Sequence, residues 1–191
     1  MEYPLVEALT GCVGAGMLYS VSLFIPSATW ADYLMAYTMG LILIPVIIID
    51  LRHFLIPDMM VLPGALIAWV LADFRVNFDI FDSLMGGFGI ALGLWAFATL
   101  LSWVLKKQAM GFGDVKFMLF AGSILGFQDA LLAVVLSSFI GLIIIPFLTL
   151  MGSHQGGKKF PYGPMLGIAT FMSFYWSEKI WSWYFEFVGL S

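Results

Sequence analysis

Two aspartates in separate stretches of the sequence could together perform acid–base chemistry. Asp50 follows the apolar run LILIPVIII, and Asp114 follows Gly111-Phe112-Gly113 and opens another apolar run. An ionisable side chain at the edge of the hydrocarbon is costly, so it usually faces a partner or a wet cavity. Two carboxylates in one low-dielectric cleft do not both ionise easily, so one keeps a proton. Peptide hydrolysis uses this state, because the ionised partner takes a proton from water and the protonated partner polarises the carbonyl.

Residues without bulky or flexible side chains surround these aspartates. Gly111 and Gly113 allow the backbone to approach a substrate strand closely or to take a positive φ. Pro161 and Gly163 lie in a third stretch, FPYGP, which interrupts a helix on the same side. Irregular backbone at membrane depth is tolerated where it lines a cavity. We therefore expect Gly111, Gly113, Pro161 and Gly163 to bind substrate.

The other polar residues of these stretches have simpler explanations. Capping preference favours Asp58 as the N-cap of the next helix over a catalytic group. Lys116 could tune Asp114 electrostatically or anchor the chain at the membrane interface. His53 and His154 are single histidines in different loops, without the spacing of metal ligands. No metal site and no cofactor are expected.

The elements that position the aspartates are membrane helices. Only 10% of the 191 residues are charged and 62% are hydrophobic, which excludes a water-exposed globule. We expect an all-α helical bundle with six or seven spans, formed by one domain over residues 1–191. The net charge of −4 offers no basic surface for nucleic acid. The apolar runs cover about 5–25, 33–49, 59–74, 83–105, 115–126, 130–150 and 162–187.

Two of these runs are unusual. The run at 115–126 is too short for a simple span, so we expect it to be tilted, broken or partly buried. The last run carries Glu178 and Lys179 in its middle. We expect its span to end near Trp176 and an interfacial segment to follow.

The basic residues predict the orientation. If the runs alternate across the membrane, most lysines and arginines fall on one side, and the positive-inside rule makes that side cytoplasmic. The amino terminus and both candidate aspartates then lie on the cytoplasmic side. The residues on this side are Arg52, Lys106, Lys107, Lys116, Lys158 and Lys159, whereas Arg75 and Lys179 fall on the other.

Three stretches together resemble the type IV prepilin peptidase family, the bacterial leader peptidases of the GxGD aspartic class. They are DLRHFLIPD from Asp50, MGFGDVK from Met110 and FPYGP from Phe160, in which Tyr162 replaces the family's Phe. They follow the family's order and span about residues 33 to 170.

The resemblance implies a function and a location. Asp50 and Asp114 match the two catalytic aspartates of an enzyme that removes the basic leader from prepilins and pseudopilins. The implied location is the bacterial inner membrane, with the site on the cytoplasmic side and the bilayer as a further partner. Many members also N-methylate the new amino terminus through a domain with paired cysteines. Because the first span begins by about residue 5 and Cys12 is the single cysteine, we expect cleavage without methylation.

Other functions compete with this interpretation. Asp50 and Asp114 could be ion or proton carriers of a transporter or channel, a common role for intramembrane acids. Transporters typically place such groups near the midplane between repeated halves, and the sequence shows no repeat. A structural scaffold of a secretion machine would leave the paired motifs unexplained. An archaellin-type leader peptidase is a near neighbour, but the Pro-Tyr-Gly-Pro stretch favours the bacterial type.

Overall fold

The expected all-helical architecture is confirmed. The computed structural model describes residues 3–25, 27–107, 110–150 and 161–189, and regular structure within these ranges is helical. The described residues form eight α-helices, together with a 3₁₀ turn over Ala72–Phe74 and a π-helical turn over Met85–Gly89. These are α1 (Tyr3–Phe24), α2 (Trp30–His53), α3 (Asp58–Leu71), α4 (Ile80–Leu84), α5 (Ile90–Leu105), α6 (Phe112–Leu125), α7 (Phe127–Leu150) and α8 (Gly163–Val188).

Helix α6 is the buried centre of the bundle. It contacts α3, α5, α7 and α8, and its large side chains Phe117, Met118 and Phe120 are fully buried. Its 14 residues extend for only about 21 Å. The short run at 115–126 is therefore a helix buried in protein, one of the alternatives that the sequence left open.

Glycines bring α6 unusually close to the π-helical turn. A Cβ added at Gly122 would clash with the carbonyl oxygen of Gly86 and would lie 3.0 Å from the backbone nitrogen of Gly87. The π-helical turn joins α4 to α5 without a break, so Ile80–Leu105 forms one continuous helix. Gly126, with φ +79°, then ends α6 in a conformation that few other residues adopt, and α7 follows at once.

Three helices among the described residues are long and apolar enough to cross a membrane: Trp30–His53, Ile80–Leu105 and Phe127–Phe147. The larger count of six or seven spans stays a prediction. Helix α8 continues unbroken through Val188, so any interfacial segment after Trp176 belongs to the same helix.

Helix α2 carries a buried carboxylate at each end. Near its start, the Oδ1 atom of Asp32 accepts a 2.8 Å hydrogen bond from Nε of Arg75, which also donates to the carbonyl of Ile124 at the end of α6. Near its end lies Asp50, which is 5% exposed. At about 1.5 Å per residue, about 27 Å of helix separates the two, close to the thickness of a bilayer core.

Candidate active site

Asp50 lies in the last turn of α2, facing the first residue of α8. The backbone N–H of Gly163 donates a 2.8 Å hydrogen bond to Oδ2 of Asp50. This N–H belongs to the first turn of α8, where it has no acceptor within its own helix, and the positive end of the helix dipole favours a carboxylate there. The contact joins residues 113 positions apart in the sequence and fixes one oxygen of Asp50.

Asp114 lies in the first turn of α6, which begins after Gly111. Burial raises the pKa of Asp114 to about 6, and the nearby Asp50 carboxylate adds to the rise, whereas a hydrogen bond with the Gly111 backbone opposes it. An Asp114 side chain with this pKa retains a proton well above the pH at which an ordinary aspartate loses it.

Both aspartates line one open cavity of about 1120 Å³. Its walls are mostly apolar, and they come from the α2–α3 connection, α5, the start of α6, α7 and the start of α8. A cleft of this kind could take an extended or helical apolar segment and present it to two carboxylates. The lining includes Phe54, Leu55, Ile56, Leu94, Phe97, Leu101, Phe112, Val134, Ser138, Tyr162 and Leu166.

An ion pair at the cavity connects the start of α3 to the start of α6. Nζ of Lys116 lies 2.6 Å from Oδ2 of Asp58 and also 5.1 Å from the ring centroid of Phe112. The sequence-based assignment of Asp58 as an N-cap is wrong. Pro57, in an extended conformation, occupies the cap position, and Asp58 is the first residue of α3. Lys116 therefore has Asp58 as its partner, which neither alternative drawn from the sequence included.

Comparison with known proteins decides the family. A model of the type IV leader peptidase family matches residues 36–146, a range that contains both aspartates. The chain belongs to the type IV leader peptidase family. No solved structure matches it.

The curated relatives of this chain are longer than it is. It is 30% identical over 189 residues to the "Prepilin leader peptidase/N-methyltransferase" of Pseudomonas aeruginosa, covering 98% of this chain and 63% of that protein. A protein of the same name from Aeromonas hydrophila is 33% identical over 187 residues, with 96% and 61% covered. One from Legionella pneumophila is 31% identical, with 96% and 62% covered. The chain thus spans less than two thirds of the length of these relatives.

The four predicted substrate-binding residues take two different positions. Gly111, Gly113 and Pro161 line the cavity. Gly163 does not line it but contacts Asp50 through its backbone N–H. Gly111 has φ −74° and Gly113 lies within α6, so neither glycine is needed for a positive φ, and close approach is the remaining reason. A Cβ on Gly113 would lie 3.3 Å from Cβ of Ile56.

His53 does not line the cavity. His53 is exposed at the end of α2, and no group of three metal-ligating side chains occurs among the residues that the structure describes. His154, Lys158 and Lys159 lie outside the described residues.

Sequence reasoning missed two contacts at the start of α8. One is the hydrogen bond from Gly163 to Asp50. The other joins the hydroxyl of Tyr162 to Oγ of Ser137 on α7, at 2.7 Å. The replacement of Phe by Tyr162 in the third motif was a signal for the second contact, because a half-buried tyrosine hydroxyl usually finds a hydrogen-bond partner.

Proposed function

We propose that this protein is a membrane aspartic endopeptidase that removes the basic leader from type IV prepilins or pseudopilins. The observation that carries the proposal is the pair Asp50 and Asp114, contributed by two helices to one apolar cavity. Family membership and the names of the curated relatives support the substrate class. A single catalytic domain over residues 1–191 is part of the proposal.

The proposed mechanism assigns a separate role to each aspartate. Asp50, whose Oδ2 accepts from Gly163, is the ionised base and takes one proton from the attacking water. Asp114, whose pKa is raised to about 6, is the acid: it donates a hydrogen bond to the scissile carbonyl and passes its proton to the carbonyl oxygen as the water adds, which gives a tetrahedral diol.

The tetrahedral intermediate then collapses to the two products in one step. The proton on Asp50 passes to the leaving amide nitrogen, and Asp114 recovers its proton from a hydroxyl of the intermediate. The carbon–nitrogen bond breaks and both carboxyl groups return to their starting states. No covalent intermediate, metal or cofactor takes part in this scheme.

The proposed topology places the site at the cytoplasmic face of the bacterial inner membrane. The end of α2 that carries Asp50 also carries Arg52, and Lys116 lies in the same cavity as both aspartates. Lys106 and Lys107 follow α5 directly, and α5 lines the cavity between Leu94 and Leu101. This grouping of basic residues supports a cytoplasmic site with an inside amino terminus, because positive residues concentrate in cytoplasmic loops.

The competing transporter interpretation is disfavoured by the same positions. Asp50 lies in the last turn of α2 and Asp114 in the first turn of α6, at one end of the bundle, whereas the ion-carrying groups of transporters lie near the midplane.

Co-expression with a candidate prepilin, followed by gel shift and mass spectrometry of the product, tests the proposed peptidase function. A single cut between the basic leader and the apolar helix is expected. Proton-coupled uptake in proteoliposomes, without cleavage of any prepilin, would favour the transporter instead.

The expectation of cleavage without N-methylation also stays a prediction. The mass of the new amino terminus decides it, because methylation adds about 14 Da. A methylated product formed with this enzyme as the sole candidate would contradict the expectation.

A further inference from the structure

We propose that Tyr162 is a positioning residue that holds the Gly163 N–H on the carboxylate of Asp50, with its own hydroxyl anchored to α7 by Ser137. The inference rests on the proposed peptidase function. It assigns a role to a residue whose side chain is hydrogen-bonded to α7 and not to either aspartate. Tyr162 precedes Gly163 directly, so the position of one peptide plane depends on where the tyrosine is held.

The hydroxyl of Tyr162 lies against two serines of α7. Oγ of Ser137 donates to the carbonyl of Val134 at 2.7 Å, which uses its one proton. Because this proton is used, we assign the tyrosine hydroxyl as the donor in its 2.7 Å contact with Ser137, and Oγ of Ser138 lies 3.4 Å from the same hydroxyl. Ser137 is fully buried, so this acceptor is fixed within the packed part of α7.

The backbone of Tyr162 also starts α8. Its carbonyl accepts from the N–H groups of Met165 and Leu166, each at 3.1 Å, and its ring packs 3.8 Å from the position of a Cβ on Gly141 of α7. The residue is thus held at its ring, its hydroxyl and its carbonyl. Because only one bond of the chain separates it from the Gly163 amide, a shift of the ring moves the donor that contacts Asp50.

The Gly163 backbone lies in close contact with the Asp50 carboxylate. A Cβ at Gly163 would lie 2.6 Å from Oδ2 of Asp50, so backbone and carboxylate already lie as close as glycine permits. Releasing the Tyr162 hydroxyl from α7 allows the first turn of α8 to move away from Asp50. The hydrogen bond of 2.8 Å then lengthens, and the base is less well aligned with its water.

The conservative variant Tyr162→Phe removes only the hydroxyl. It leaves no buried donor unsatisfied, because Ser137 keeps its bond to Val134. It also restores the residue of the motif that the third stretch resembles, so the protein is expected to fold. The matched control is Tyr175→Phe, which removes a hydroxyl from the same helix that donates to the carbonyl of Met17 at 2.9 Å, away from the cavity.

The kinetic test measures kcat and KM for cleavage by purified protein in nanodiscs. Tyr162→Phe is expected to lower kcat by about fivefold, the effect of one net hydrogen bond, with KM unchanged. Ser137→Ala should have the same effect, and the double variant should be no worse than either single variant, since both break one interaction. Tyr175→Phe should match wild type. A rise in KM at constant kcat would show that Tyr162 contacts substrate. Additive losses of kcat in the double variant would show that Ser137 acts separately. Either result overturns the proposal.

A spectroscopic test separates this inference from the proposed function. The amide proton of Gly163 should resonate strongly downfield in wild type, because it donates to a carboxylate, and should move upfield in both Tyr162→Phe and Asp50→Asn. This measurement needs no substrate. If the wild type cleaves no prepilin but the resonance behaves as expected, the peptidase function fails and the positioning role stands. An unchanged resonance in Tyr162→Phe overturns the positioning role, whatever the enzyme cleaves.

Discussion

Under the proposed function, replacing Gly163 by alanine should slow cleavage strongly without unfolding the protein. The added Cβ would lie 2.6 Å from Oδ2, 3.0 Å from Cγ and 3.2 Å from Cβ of Asp50. The carboxylate group is the nearest obstacle, so the clash falls on the proposed catalytic base itself. Asp50 must turn or move, and the hydrogen bond from the Gly163 N–H is strained or lost.

The size of the effect follows from the distance. An ordinary contact begins near 3.4 Å, so the Asp50 oxygen must move by about 0.8 Å. A misplacement of about 1 Å at a reacting group costs about 100-fold in rate. We therefore expect kcat to fall by about 100-fold, with KM little changed, because the cavity walls that would hold the substrate stay in place.

The matched control is Gly167→Ala, one turn further along α8. Its added Cβ would lie 2.7 Å from Cδ1 and 3.0 Å from Cγ1 of Ile47, a similar crowding against the same helix α2. The end of an isoleucine side chain can move aside, so kcat should stay close to that of wild type. The assay is prepilin cleavage under single-turnover conditions, with protein amount and melting temperature measured for each variant. If Gly163→Ala retains kcat and raises KM, Gly163 contacts the substrate and the positioning argument fails.

Further predictions concern pH and the packing of the bundle. If Asp114 must be protonated, kcat/KM should fall as pH rises through about 6, because Asp114 holds its proton below its raised pKa and loses it above. A flat profile of kcat/KM from pH 5 to 8 contradicts this. The same shift means that the folded state binds this proton more tightly than the unfolded chain does, so its stabilising contribution is complete below 3.8 and is lost as pH rises through about 6. Arg75→Gln should lower the free energy of unfolding by about 3 kcal/mol, because it leaves the buried Asp32 without its cation, and thermal unfolding that matches wild type would contradict it. Gly122→Ala should destabilise the protein by about 2 kcal/mol or more through its clash with the Gly86 backbone, which the yield of folded protein and its melting temperature would report.

The helical architecture could be predicted because it depends on local composition. Long apolar runs with few charges form membrane-length helices, and the short run at 115–126 was already marked as different by its length. The pairing of Asp50 with Asp114 in one cavity could also be anticipated, since alternating runs bring the end of one helix and the start of another to the same side of the membrane.

The contacts that refine the site could not be predicted from spacing. Gly163 donates to Asp50 across 113 residues, and Lys116 pairs with Asp58 across 58 residues. Such contacts depend on how whole helices pack, which one sequence does not reveal. Asp58 shows the same limit, because capping preference describes a helix end alone and takes no account of a lysine from another helix.

Asp50 and Asp114 are proposed to act as one catalytic pair. The most direct measurement is single-turnover cleavage of a prepilin in nanodiscs by wild type, Asp50→Asn, Asp114→Asn and the double variant. Each substitution keeps the size of the side chain and removes its ionisable carboxyl. We expect each single variant, still folded in the membrane, to lose cleavage by at least about 1,000-fold. The double variant should be no worse, because residues that act as a unit are non-additive. Substantial cleavage by either folded single variant would contradict it.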